Sequence, residues 1–130
     1  MTVRKKERWL ERELMGGPYL CLCLSEGDFH AAIADMGQKH RDDWISNEQS
    51  DATAHHLVHP ETHELCCIVC MRLRPDSTAM GICGLLVHEA VHVFQQWCDH
   101  IGETNPGRES EAYGIQRIAQ RLMASYAEQQ

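Results

Sequence analysis

Apolar positions along the chain alternate between helical spacing and short unbroken runs, and the changes between the two mark out its elements. Residues 2–15 read as a charged amphipathic helix with Trp9, Leu10 and Leu14 as its apolar positions, stopped by Gly16, Gly17 and Pro18. The run from Tyr19 to Leu24 is short and apolar and suits a strand. Ser25 then offers an N-cap for a helix reaching about Met36, where Gly37 ends it. Residues 38–51 are polar and read as loop. Two strands follow, over 52–59 and 64–73, joined by the tight turn Pro60-Glu61-Thr62-His63. The second of them is nearly all apolar, as expected of a strand buried on both faces. Pro75, Asp76 and Ser77 break it. A helix is predicted from about Thr78 to Asp99, a turn over 102–107, and a last helix over 108–127. In that last helix Ile115, Ile118, Ala119, Leu122, Met123 and Tyr126 recur at helical spacing. The expected fold is α+β, in one domain spanning 1–130.

Composition narrows the function classes. With 43% hydrophobic and 24% charged residues in 130, the chain is globular and long enough to bury a core. A formal charge of −7 argues against a non-specific grip on nucleic acid or on an anionic membrane. The basic start (Arg4, Lys5, Lys6, Arg8) is not followed by an apolar segment, because Glu7, Glu11, Arg12 and Glu13 interrupt it. No apolar stretch is long enough to span a bilayer. A cytoplasmic protein is expected. Seven cysteines, an odd number, point to reduced thiols, and nine histidines raise the prospect of a metal site.

The predicted 78–99 helix contains His88-Glu89-Ala90-Val91-His92. Histidines at i and i+4 lie on one helix face, so both imidazoles can reach one cation, for which zinc is the natural candidate. Glu89 is turned about 100° from His88 around the axis. From there it can serve as general base toward an activated water rather than as a ligand. The apolar turn Leu85-Leu86-Val87 and the neighbours Val91, Val93 and Phe94 embed the motif in a buried helix. A third protein ligand is needed. A third histidine six residues after the second is excluded, since Cys98 stands there with Gln95 in place of the accompanying glycine. The other route takes a glutamate from a following helix, and Arg108-Glu109-Ser110-Glu111-Ala112-Tyr113 offers one.

His88-Glu-Ala-Val-His92 followed by Glu109-Ser-Glu-Ala112 resembles the gluzincin pattern of zinc metallopeptidases, HExxH…ExxA. It is most similar to small phage and prophage proteins carrying HEAVH…ExEAY, over roughly residues 80–125. The resemblance implies a minimal zincin-like domain: a small sheet packed on an active-site helix and a C-terminal glutamate-bearing helix. It further implies zinc-dependent hydrolysis of peptide bonds, with His88, His92 and Glu109 as ligands, Glu89 as the catalytic base, and Ala112 letting the two helices approach. Tyr113 replaces the Asp that many larger gluzincins carry, which removes a carboxylate expected to orient a ligand histidine. The apolar direction of the last helix favours Glu111 over Glu109, so both glutamates stay open as third ligand or ligand support. The expected partner is a protein or peptide substrate, which completes the cleft of so small a domain. The alternative is a zinc-binding domain without turnover, acting as a phage-related structural or interaction protein.

Other clusters have plainer readings. Cys67-x-x-Cys70 with His59 and His63 could be a second zinc site, yet a three-residue step along a strand sends two thiols to opposite faces. Cys21, Cys23, Cys66, Cys67 and Cys70 therefore read as core residues. If 52–59 borders the cleft, a histidine among His55, His56 and His59 could contact substrate or the oxyanion, with His55 the first candidate. Tyr113 is a second candidate for that role.

Overall fold

Strand β3 (Leu65–Met71) is buried at all seven positions, with one apolar layer on each of its faces. Around it the chain forms β1 (Tyr19–Cys23), α1 (Glu26–Asp35), β2 (Ala52–Val58), α2 (Ala79–Ile101) and α3 (Arg108–Glu128). The computed structural model describes residues 8–10, 17–39 and 42–130. The sheet order is β1-β3-β2, with β1 parallel and β2 antiparallel to the central strand. This is the expected α+β architecture.

Alternation sorts the sheet residues between two cores. Cys21, Cys23, Cys66, Ile68 and Cys70 face α1 and pack on its Phe29, Ala32 and Ile33. Leu20, Leu22, Leu65, Cys67, Val69 and Met71 face the other way, onto Leu86, Ala90 and Val93 of α2 and Leu122 of α3. The seven cysteines are free thiols, and those of the strands are core side chains as expected.

Element ends follow local chemistry. The Ser25 hydroxyl accepts from the Asp28 N–H, and the Thr78 hydroxyl from the Gly81 N–H at 3.0 Å, capping α1 and α2. Gly102, at φ 76°, closes α2 in the left-handed conformation that glycine adopts without a steric cost. The β2–β3 turn is held from within by His59, whose Nδ1 accepts from the N–H groups of Glu61 and Thr62. That bond assigns His59 to the turn rather than to a metal. The expected helix over 2–15 lies mostly outside the described residues. Within it, residues 8–10 are not helical, because the Leu10 N–H donates to the Leu20 carbonyl and ties this piece to β1.

The two long helices pack closely at Gly114. A Cβ there would lie 2.6 Å from Cε2 of Phe94, so a glycine permits this approach. Ala112, expected at the contact, is exposed instead. Gly114→Val is therefore expected to destabilise the fold by about 1–3 kcal/mol, read as a lower urea midpoint. Gly114→Ala should cost less, since about 1 kcal/mol of helix propensity is regained. A Val variant as stable as the parent would mean that α3 does not rest on Phe94.

Candidate metal centre

Register decides which side chains meet the exposed stripe of α2. On β2, Ala52, Ala54, His56 and Val58 pair across from Met71, Val69, Cys67 and Leu65 and share their face, the one covered by α2. Thr53, His55 and Leu57 point to the α1 side. His88, Glu89 and His92 line an open cleft of about 320 Å³ together with Ser46, Ala52, Thr53, Ala54 and His56. The cleft runs on over the edge of β2 into a depression of about 480 Å³ that reaches Asp42 and Asp43.

The two histidines of α2 converge. Their Nε2 atoms are 3.1 Å apart and the rings stand at 75° to each other. Two imidazole nitrogens bound to one tetrahedral zinc at 2.0–2.1 Å would be separated by about 3.3 Å. The Nδ1 of His92 lies 3.3 Å from Oε1 of Gln95, so an N–H there donates to it and leaves His92 Nε2 as the acceptor facing His88 Nε2. The separation, the donor type and the outer hydrogen bond all fit a shared divalent cation.

Glu89 is the buried member of the motif, 5% exposed, and its Oε2 has no hydrogen-bond partner. Burial pushes its pKa up from the ordinary carboxylate value, against the opposing fields of His92 and His88. An unpartnered buried carboxyl is a cost to the fold, of the kind retained where chemistry needs it. The pH dependence follows from the direction of the shift. A folded-state pKa above the unfolded one means the folded chain keeps a proton that the unfolded chain releases. Stability is then lost as pH rises through that interval. Metal-free Glu89→Gln should unfold at a higher temperature than the parent at pH 7–8, by a margin that shrinks below the ordinary carboxylate pKa. A margin independent of pH would exclude charge burial as its cause.

The remaining site candidates separate. His55 stacks on Phe29 with ring centroids 4.5 Å apart, and its Nε2 meets the Trp44 carbonyl at 2.9 Å. Its ring belongs to the α1-side core, on the face away from His88 and His92. His56, one residue on, is the β2 histidine on the α2 face. Alternation along the strand makes one of the pair face α2, but only the β2–β3 register says which.

Glu109 and Glu111 occupy the first turn of α3. The contact of Gly114 with Phe94 turns α3 toward that side of α2. His92 and His88 are rotated from Phe94 by about 160° and 120° around the axis. Glu109 stands five residues before Gly114, about 7.5 Å along α3 from that contact. Glu111 lies near enough to Cys98 for its charge to act on that thiol. Tyr113, in the following turn, is 61% exposed. Neither glutamate forms a metal-holding group with the histidine pair. Among the described residues no three His, Cys, Asp or Glu form a group that could hold a metal ion.

No helix among the described residues is long and apolar enough to cross a membrane. No protein-family model matches the chain, and neither a curated protein nor a solved structure matches it significantly, so the chemistry of this centre has to be judged from its own geometry.

Proposed function

We propose that the chain is a zinc-dependent hydrolase of peptide bonds, with His88 and His92 as ligands and Glu89 as general base. What supports the reading above all is the pair of Nε2 atoms at 3.1 Å on a helix whose intervening carboxyl is buried and unpartnered. Zinc, when bound, supplies a Lewis acid that polarises a carbonyl and brings the pKa of water near 7. The chain's own groups do the rest. Gln95 holds the His92 ring in the tautomer whose Nε2 can ligate. Glu89 takes a proton at its carboxyl from the attacking water and returns it to the departing amine, a task for which a raised pKa suits it. The cleft along β2 is open and runs on into the depression at Asp42 and Asp43, room for an extended segment of a protein or peptide substrate.

Catalytic zinc takes three protein ligands and structural zinc four, so the His88–His92 pair is one ligand short of the first and two short of the second. The open cleft and the buried carboxyl of Glu89 beside the pair favour hydrolysis over a zinc domain without turnover. The deciding assay is cleavage of fluorescein-labelled casein by zinc-loaded protein, lost on chelation and regained on adding zinc. Zinc binding with no cleavage at any casein concentration would leave the non-catalytic reading in place.

A further inference from the structure

We infer that His56 is the hydrogen-bond donor to the reacting carbonyl oxygen, with the proton held on its Nε2 because the thiol of Cys67 occupies its Nδ1. The inference rests on the hydrolase reading and adds to it a catalytic residue from the sheet.

Placement comes first. His56 and Cys67 are register partners on β2 and β3 and lie on the α2 face of the sheet. His56 enters the cleft from β2, whereas His88, Glu89 and His92 enter it from α2. It is the only histidine outside α2 among the residues lining that cleft. A carbonyl lying between the two elements would have the His88–His92 pair on one side and the His56 ring on the other.

The tautomer follows from the neighbouring thiol. Cys67 is fully buried, and burial pushes its pKa up to about 12, so its Sγ carries a proton at neutral pH. The His56 Nδ1 is 3.4 Å from that sulfur. An imidazole nitrogen is a far better acceptor than a thiol sulfur, which accepts only weakly. The S–H therefore donates to Nδ1, and a neutral imidazole accepting at Nδ1 must carry its hydrogen on Nε2. The ring stays neutral because burial, aided by the fields of His92 and His55, lowers its pKa below the usual histidine value. A neutral donor can face a zinc site without the repulsion that an imidazolium would meet.

The chemistry asked of it is modest. As water adds to the carbonyl carbon, the C=O π pair moves onto oxygen, and Nε2–H donates to that oxygen while keeping its proton. One well-placed donor of this kind is worth roughly 10²–10³ in kcat.

Three measurements test the assignment. Long-range imidazole 1H–15N correlations on the metal-free protein should place the His56 proton on Nε2 at pH 7.5, and a proton on Nδ1 overturns the inference. His56→Leu should cut kcat on labelled casein by about 100-fold with KM within about twofold and zinc stoichiometry unchanged. His56→Gln, which restores an N–H donor, should recover part of the loss and guards against a variant that merely misfolds. Loss of zinc from both variants would make His56 a ligand and overturn the donor role. Full activity in His56→Leu overturns it too but leaves the hydrolase reading intact. Absence of cleavage by the zinc-loaded parent ends the hydrolase reading and the donor role with it.

Discussion

Glu89→Gln is expected to lower hydrolysis by about 10²–10⁴-fold while zinc remains bound to His88 and His92. Gln has nearly the shape of Glu and fills the same buried slot, so packing around Ala90 and Val93 changes little. What it lacks is an oxygen able to accept a proton. In the parent, Oε2 has no partner within the protein, and its neighbours toward the cleft are the two histidines. Glu89 lines the cleft, and a carboxyl with one oxygen free of protein partners can take up a proton without first breaking a bond. The amide at position 89 offers no such acceptor and presents an N–H2 group in one of the two positions. The outcome is read as kcat on labelled casein beside zinc content by atomic absorption. Undiminished turnover with zinc bound would remove Glu89 from the chemistry. Loss of zinc together with turnover would show that Glu89 holds the histidines in place, a structural part and not a proton-transfer one.

How far the architecture could be read from the sequence depends on what kind of signal each element carried. The strand Leu65–Met71 could be read because seven successive apolar residues are long enough for a doubly buried strand and too short for a helix with its own polar face. Thr78 and Gly102 bracket α2 with side-chain and left-handed caps, so both ends of the motif helix were predictable to within two residues. The His88–Glu89–His92 constellation is local and follows from helix periodicity alone. Relations between elements leave no such local signal. Telling which face His55 and His56 each take required the β2–β3 register, and a slip of one residue exchanges the faces of every side chain on the strand. Placing Glu109 near the metal required knowing which side of α2 receives α3. That is set by a hole at Gly114 filled by Phe94, a tertiary contact with no periodic signature. The ExxA spacing identifies residues on one turn of α3, but it does not carry the direction in which that turn faces.

The same contact makes the largest prediction about metal binding. His88→Ala or His92→Ala should weaken zinc by on the order of 100-fold or more, because each removes one of two converging nitrogens. Glu109→Gln and Glu111→Gln should leave the affinity unchanged, since their turn of α3 lies on the far side of α2 from the pair. Zinc at 100 times its Kd should stabilise the parent by about 2.7 kcal/mol, a shift readily seen in thermal unfolding. The shift should persist in both glutamate variants and fall to about 0.4 kcal/mol or less in both histidine variants at the same zinc concentration. A Glu109 or Glu111 variant that behaves like His88→Ala would require α3 to swing around α2 and abandon the Phe94 contact. In that case Gly114→Val, which crowds that contact, should not destabilise the zinc-bound protein. The two experiments therefore check one another. A ligand on α3 and a destabilising valine at position 114 cannot both be true of the same packing, and the arrangement of the helices decides which is observed.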